Sequence, residues 1–269
     1  MKILKRLLMI AVVTVIACYG MACGFLYSQQ AALLYPAPKT TSTPAWKDSQ
    51  WLAIPGPNGS TVHAVYLPAA PGKNTVVHFH GNGEAISNDD WLAVPMHEAG
   101  LGFLGVEFPG YGLDEKEWPP SEYKLYDASQ AAISYAIDTL KVPKDSLVIC
   151  GWSLGSGVAA EMARRGFGSR LVLVSAYTSI PEVAKRMFPI MPVGLLAKDK
   201  YETLRKAPDL KLPTLLIHGT KDDVIPYDMG EALSKTLPNV QFFPVEGAKH
   251  NDVWKNGTLE RVISFASGG

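Results

Sequence analysis

One pentapeptide, Gly151-Trp152-Ser153-Leu154-Gly155, constrains the fold of this chain more than any other feature. It follows a short apolar run at residues 147–150 and precedes small residues that suit the start of a helix. A Gly-x-Ser-x-Gly sequence between a buried strand and a helix is typical of a turn so tight that only small residues fit on both sides of the serine. Such a turn lifts the Ser153 hydroxyl out of the sheet, beside the positive end of the helix.

Short apolar runs and amphipathic segments alternate along most of the 269 residues. Strands are predicted at residues 61–67, 75–80, 103–108, 146–150, 171–175, 214–218 and 241–245. Helices are predicted at residues 91–98, 127–140 with Asp127 as N-cap, 155–165, 230–237 and 253–265. This alternation predicts an α/β fold, with a mostly parallel central sheet covered by helices on both faces, in one domain over residues 51–269.

Residues 178–212 interrupt this alternation with a run rich in Met, Phe and Pro, centred on residues 187–192. Such side chains make an adaptable apolar surface, which suits a small helical cap inserted over a site. The alternative is a long helical crossover that packs on the sheet.

The N-terminal segment differs from the rest of the chain. Lys2, Lys5 and Arg6 precede residues 7–27, which carry no charge and are mostly apolar. A helix of that length can span a bilayer, and the basic flank predicts that the N-terminus stays in the cytoplasm. We therefore expect residues 1–30 to be a membrane anchor or signal segment, with the folded domain outside the cytoplasm.

Two alternatives for this segment remain open from the sequence. A cleaved secretory signal would use small residues such as Gly20 and Ala22 for processing. A bacterial lipoprotein signal would leave a lipidated Cys18. In each case residues 31–50 are predicted to be a linker, because they include a stretch rich in Pro, Thr and Lys.

Composition excludes some classes of function. Lys plus Arg and Asp plus Glu both number 25, so the chain lacks the excess of basic residues on which nucleic-acid binding relies. Of the three cysteines, Cys18 and Cys23 lie in the apolar segment, and only Cys150 belongs to the folded domain. No disulfide is therefore expected within that domain, and Cys150 is interpreted as a small core residue.

A serine nucleophile needs a base to remove its proton and an acid to orient that base. After a nucleophile elbow these partners follow in the order Ser, Asp or Glu, His. Of the six histidines, only His218 and His250 follow Ser153. His218 ends an apolar strand and leads into a loop with adjacent carboxylates, Asp222 and Asp223, and only His250 follows them. Ser153, Asp222 and His250 are therefore the predicted triad, with Asp223 as the alternative acid.

The same chemistry requires donors for an oxyanion. One donor in such a fold is the backbone N–H of the residue after the nucleophile, here Leu154, and the other comes from a loop near the third strand. The candidate for the second is Asn82 N–H, because Gly81 lets the backbone approach a substrate closely, and Gly83 is the alternative. His80 precedes this loop and is expected to fix it.

Five motifs carry a resemblance to the α/β-hydrolase superfamily. They are His80-Gly81-Asn82, Phe108-Pro109-Gly110-Tyr111-Gly112, Gly151-Trp152-Ser153-Leu154-Gly155, His218-Gly219-Thr220-Lys221-Asp222 and Gly247-Ala248-Lys249-His250-Asn251-Asp252. Within the superfamily, the run after the elbow and the His-Asn-Asp sequence resemble membrane-anchored serine hydrolases related to bud-emergence proteins and abhydrolase-type palmitoyl-protein thioesterases. The resemblance implies an acyl hydrolase with the triad described above.

The functional hypothesis is a serine hydrolase that cleaves carboxylic esters or thioesters of a small-molecule or lipid-like acyl substrate. The Met- and Phe-rich segment favours medium or long acyl chains. Amide or peptide hydrolysis by the same triad is one alternative, and a non-catalytic binding protein on a hydrolase fold is another. The chemistry needs no cofactor, and no metal site is expected because no pair of residues shows ligand spacing.

Overall fold

The computed structural model describes residues 1–38, 43–44, 46–112, 119–255 and 257–268. The strands are β1 (Gln50–Pro55), β2 (Thr61–Leu67), β3 (Thr75–Phe79), β4 (Gly102–Val106), β5 (Leu147–Trp152), β6 (Arg170–Val174), β7 (Thr214–Gly219) and β8 (Val240–Val245). The helices are α1 (Lys2–Leu34), α2 (Asp90–Glu98), α3 (Glu122–Asp138), α4 (Leu154–Arg164), α5 (Ile180–Met187), α6 (Val193–Leu196), α7 (Thr203–Lys206), α8 (Tyr227–Ser234) and α9 (Thr258–Ala266).

The strands form one sheet in the order β1-β2-β4-β3-β5-β6-β7-β8. From β4 onward neighbouring strands are parallel, whereas β2 pairs antiparallel with both β1 and β4. Strand β5 lies at the centre, and its Trp152 pairs with Val174 at the carboxyl edge of the sheet. Because open α/β sheets bind ligands at the carboxyl ends of their strands, this arrangement puts Ser153 where a site is expected.

Two apolar cores sandwich the sheet. One packs α3, α4 and α8 against it, and the other packs α2 and α9 against the opposite face. The predicted fold, a mostly parallel sheet with helices on both faces, is confirmed. Cys150 is fully buried in the second core, as expected of a small core residue.

Several predicted boundaries were wrong. Helix α3 begins five residues before Asp127, because the Ser121 hydroxyl accepts from Lys124 N–H and caps it. Helix α9 begins at Thr258 and not at residue 253, because Gly257 adopts a left-handed conformation just before it. Helix α8 begins at Tyr227, directly after a proline, and ends at Ser234. Strand β1 was not predicted from the sequence.

The N-terminal helix α1 is 33 residues long, and none of its most apolar window is buried in the protein. By length and composition it is able to cross a membrane. The predicted linker was wrong in its first residues, because 31–34 continue the helix and Tyr35 is only 5% exposed. Residues 39–42 and 45 of that linker lie outside the described residues.

Between β6 and β7 the chain forms the short helices α5, α6 and α7. Their loop and helix residues, 178–212, are the segment for which the sequence predicted a cap. Helix α5 starts with Ser179 as its cap, whose hydroxyl accepts from Glu182 N–H. Most of the side chains on α5 and α6 remain at least partly exposed, so these helices lie at the surface of the domain, with Val183 packed into the core.

Gly155 lies where helix α4 packs closely against strand β3, so a side chain at this position should destabilise the fold. A Cβ on this residue would lie 2.0 Å from the Phe79 carbonyl oxygen, which is backbone and cannot move aside. We expect Gly155→Ala to lower the free energy of unfolding by about 3 kcal/mol or more, as overpacked cores do. Denaturant titration followed by circular dichroism measures this loss.

Gly194→Ala is the matched control, because Gly194 is also helical but has nothing within 4 Å of an added Cβ. It should change the free energy of unfolding by less than about 1 kcal/mol, in the stabilising direction. Equal effects of the two substitutions would contradict the close approach of α4 to β3.

Candidate active site

Ser153 occupies the turn between β5 and α4 with φ 50° and ψ −118°, a conformation rare for a residue with a side chain. Its backbone N–H donates to the Val174 carbonyl at 3.0 Å, which ties the turn to the neighbouring strand. A Cβ on Gly151 would lie 2.2 Å from the Gly155 carbonyl oxygen. The two glycines of the pentapeptide are therefore required by space, and the predicted tight turn is present.

The three residues of the predicted triad lie in one hydrogen-bonded chain. The Ser153 hydroxyl is 3.0 Å from His250 Nε2, and His250 Nδ1 is 2.8 Å from one carboxylate oxygen of Asp222. Because an ionised carboxylate only accepts, Nδ1 carries the proton and donates it to Asp222. The lone pair of Nε2 therefore faces the serine hydroxyl, as proton abstraction from the serine requires.

Asp222 is held as a carboxylate by its surroundings. Its Oδ1 accepts from the N–H groups of Val224 and Ile225 at 2.9 and 2.8 Å. Burial raises the pKa of Asp222, but the hydrogen bond and charge of His250 and these two N–H groups outweigh burial and lower it. The side chain of Asp223 is 55% exposed and lies 3.5 Å from Lys249 Nζ. Of the two carboxylates, Asp222 is the one that contacts the His250 imidazole, whereas Asp223 accepts from the backbone N–H of His250.

His218 lies directly beneath this loop and is completely buried. Its Nε2 donates to the Ile225 carbonyl at 2.9 Å, so it fixes the segment that holds Asp222. Burial lowers the pKa of His218, and the ring is therefore neutral here. The loop that orients His250 thus rests on a second, structural histidine.

The loop after β3 faces Ser153 from the other side. Asn82 borders the same cavities as Ser153, whereas the Gly81 N–H already donates to Glu84 Oε2 at 2.8 Å. Leu154 is the first residue of α4, where backbone N–H groups have no partner within the helix. The two predicted oxyanion donors therefore belong to the segments that border the serine. Gly83, the alternative donor, lines only the more polar of these cavities.

Buried charges hold this loop. His80 Nδ1 donates to the Gly81 carbonyl at 2.8 Å, and its Nε2 lies 3.1 Å from Glu107. Burial lowers the pKa of His80, but the Glu107 carboxylate outweighs burial and raises the pKa above its usual value. Burial and Asp89 raise the pKa of Glu84 to about 7. The role of His80 in this loop was predicted from the sequence, whereas its acidic partner Glu107 was not.

An apolar cavity of about 260 Å³ opens beside Ser153. It is lined by Leu26, Gln30, Leu33, Leu34, Asn82, Ser153, Leu154, Tyr177, Ile180, Val183, Ala184, Met187, Phe188, Val193, Leu196, Ala197, Asp199, Val224 and Ile225. Most of these side chains come from α1 and the cap helices α5 and α6. The involvement of α1 was not predicted, because sequence spacing gives no sign that residues near 30 meet residues near 190.

A second, more polar cleft meets the first at Asn82 and Ser153. It is lined by Gly81, Asn82, Gly83, Glu84, Trp152, Ser153, His250 and Asn251. The serine hydroxyl thus stands between an apolar cavity and a polar cleft. This arrangement suits a substrate with one apolar and one polar part.

Comparisons with known proteins agree with this architecture. Among curated proteins, an uncharacterized protein of Mycobacterium tuberculosis is 30% identical over 259 residues, covering 93% of this chain and 90% of its own. The alpha/beta hydrolase domain-containing protein aho-3 of Caenorhabditis elegans is 34% identical, covering 62% of this chain and 51% of its own.

Solved structures show the same fold. An esterase of Pyrococcus furiosus superposes with a TM-score of 0.69 at 16% identity, over 85% of this chain and 97% of its own. A puromycin-hydrolyzing peptidase of Mycobacterium tuberculosis superposes with a TM-score of 0.65 at 21% identity, over 80% of this chain and 37% of its own.

A family profile provides the most direct assignment. Residues 72–257 match the profile described as Alpha/beta hydrolase domain, and this range includes β3 to β8, the cap and the Ser153–His250–Asp222 chain. Sheet order, turn geometry and family profile thus lead to the same conclusion: this chain belongs to the α/β-hydrolase family.

Proposed function

We propose that this protein is a serine hydrolase that cleaves carboxylic esters or thioesters through an acyl-enzyme on Ser153. The observation that carries the proposal is the hydrogen-bonded chain from Ser153 through His250 to Asp222, at 3.0 and 2.8 Å. A serine hydroxyl is a weak nucleophile unless a base in this position accepts its proton. Asp222 orients His250 and stabilises the imidazolium that forms.

In the first half of the reaction, Ser153 Oγ attacks the acyl carbonyl carbon while His250 Nε2 takes the hydroxyl proton. The carbonyl oxygen becomes an oxyanion, which the N–H groups of Leu154 and Asn82 stabilise. The bond from carbon to the leaving oxygen or sulfur then breaks, and His250 passes its proton to the departing alcohol or thiol.

In the second half, a water molecule enters where the leaving group departed. His250 takes a proton from this water, which attacks the acyl carbon and forms a second oxyanion. Collapse of that intermediate breaks the bond to Ser153 Oγ, and the serine regains its proton from His250. The carboxylic acid is then released. The apolar cavity receives the acyl chain, and the polar cleft holds the leaving group.

Amide or peptide hydrolysis is the second candidate, and one comparison favours it. A puromycin-hydrolyzing peptidase shares this fold with a TM-score of 0.65. The same triad serves both reactions, but an amine leaves less readily than an alcohol or thiol. Competition between an ester and an amide that share the same acyl group and leaving-group skeleton separates the two candidates.

Ser153→Ala should abolish catalysis. Without the hydroxyl no acyl-enzyme forms, and we expect the turnover number for a p-nitrophenyl ester to fall about a million-fold. A fluorophosphonate probe should label the unmodified protein at Ser153, as mass spectrometry of the labelled peptide would show. Labelling should also be lost in His250→Ala. Absence of label on a well-folded protein would favour the non-catalytic binding protein.

Asp222→Asn and Asp223→Asn form a matched pair. Replacing the Asp222 carboxylate by an amide would offer an N–H donor to His250 and disturb the tautomer, so we expect turnover to fall about 10⁴-fold in Asp222→Asn. Asp223→Asn should stay within about twofold of the unmodified protein, because the exposed Asp223 side chain pairs with Lys249 and does not contact the His250 ring. The amide oxygen of asparagine can still accept from the His250 backbone N–H. Steady-state kinetics measures both variants, and the reverse outcome would exchange the roles of the two carboxylates.

A further inference from the structure

We infer that helix α1 is a wall of the substrate site, and that the substrate is a lipid whose acyl chain enters the apolar cavity directly from the bilayer. This inference rests on the proposed function and extends it by naming the substrate class. It also gives α1 a second role besides anchoring, because the same helix that suits a membrane span lines the cavity beside Ser153.

The C-terminal part of α1 borders the cavity. Leu26, Gln30, Leu33 and Leu34 line it, a spacing that puts them on one face of a helix. Leu26, Gln30 and Leu34 are partly buried, while most helix residues between them are exposed. The C-terminal end of α1 therefore presents a continuous, mostly apolar stripe to the cap.

Specific polar contacts hold α1 in place against the cap. The Gln30 amide donates to the Leu196 carbonyl at 3.2 Å, and its oxygen accepts from Lys198 N–H at 2.7 Å. The Tyr35 hydroxyl donates to Asp199 at 2.8 Å and lies 3.0 Å from the Tyr201 hydroxyl. Contacts at both residues fix the rotation of the helix, so its stripe stays directed into the cavity.

Contacts between α1 and the cap indicate the depth of the cap relative to a membrane around α1. Lys198 Nζ lies 4.2 Å from the centre of the Tyr27 ring, at the end of the apolar run. Tyrosine and lysine are typical of the membrane–water interface, so this pair marks its level. Tyr19 donates to the Ile190 carbonyl at 2.8 Å, one further contact on the same helix.

Tyr19 lies eight residues before Tyr27, which corresponds to about 12 Å along the helix axis. The loop at Ile190 therefore lies on the bilayer side of the interface. Its depth is close to the value of about 5–10 Å at which interfacial helices bury their apolar faces. Met191 makes a similar contact, with its sulfur 3.9 Å from that of Cys23.

The cap itself has an apolar surface. Three large apolar side chains are largely exposed: Met187 at 67%, Ile190 at 74% and Leu195 at 89%. Clustered exposure of this kind marks an interaction surface, and a bilayer around α1 would cover these residues. Met187 also lines the cavity, so the surface in contact with lipid is continuous with the pocket beside Ser153.

The cavity-lining residues of α1 lie beyond every processing point that the sequence offers. Lipidation at Cys18 or processing near Gly20 or Ala22 would remove only residues that precede Leu26. The mature protein would keep all four cavity-lining residues of α1.

Leu26→Trp and Phe25→Trp test the wall in the full chain, reconstituted in phosphatidylcholine vesicles. Leu26 lines the cavity, whereas its neighbour Phe25 is 65% exposed and does not line it. Each protein is assayed with a palmitoyl and an acetyl ester of the same fluorescent alcohol. We expect Leu26→Trp to lower the palmitoyl-to-acetyl ratio of kcat/KM about tenfold or more, and Phe25→Trp to leave the ratio within about twofold.

The outcomes separate the inference from the proposed function. If the unmodified protein hydrolyses both esters but Leu26→Trp leaves the ratio unchanged, α1 does not line the acyl-binding site. The proposed serine hydrolase activity is unaffected by that result. Hydrolysis of the acetyl ester without hydrolysis of the palmitoyl ester would also overturn the inference and leave the proposed function intact. If the unmodified protein hydrolyses neither ester, the proposed function fails and the inference fails with it.

Photocrosslinking tests the depth of the cap. The full chain carrying Ser153→Ala is reconstituted in vesicles that contain a phosphatidylcholine with a diazirine on its acyl chain. After irradiation, trypsin releases residues 187–198 as one peptide, because Arg186 precedes it and Lys198 ends it. We expect lipid on this peptide as well as on α1. Lipid on α1 alone would overturn the insertion of the cap.

Discussion

The structure depends on how closely helix α4 approaches the sheet. A Cβ at Gly155 would lie 2.0 Å from the Phe79 carbonyl, and one at Gly151 would lie 2.2 Å from the Gly155 carbonyl. The contact fixes the start of α4 and forces Ser153 into its unusual backbone conformation. Strained backbone of this kind persists only where the surroundings over-determine it. Here the two glycines and the bond to Val174 provide that constraint.

Two loops place functional groups beside this turn, and a buried histidine supports each of them. His218 supports the loop of Asp222, and His80 supports the loop of Asn82. Their electrostatics differ, because burial keeps His218 neutral while the nearby Glu107 favours the charged form of His80. Each histidine joins the end of a strand to a backbone carbonyl, so a side chain outside the Ser153–His250–Asp222 chain supports each loop.

Local chemistry made most of the core and the site predictable. The pentapeptide identified the turn, and the order of residues after it left only His250 as a base and an adjacent pair of acids. Apolar runs gave strands such as β2 and β7 almost to the residue. Where a boundary was wrong, as at α3, a capping residue such as Ser121 overrode the hydrophobic pattern.

The features that were not predicted from the sequence depend on contacts between segments far apart in the chain. Glu107 lies 3.1 Å from His80, and Asp89 lies 3.4 Å from the neighbouring His78, only because the fold brings separate segments together. Strand β1 is defined by its antiparallel pairing with β2 more than by its own pattern. The junction of α1 with the cap joins residues separated by more than 160 positions, such as Gln30 and Leu196.

The hydrogen bonds of the Gln30 amide to the cap restrict how far the catalytic domain can move relative to α1. A catalytic domain on a flexible linker sweeps a volume set by linker length. Here the helix is hydrogen-bonded to the cap, so the domain has no comparable reach. With α1 in a bilayer, the serine would stand at one fixed height above one leaflet. Turnover would then follow the surface density of substrate in that leaflet and not its concentration in the bulk solution.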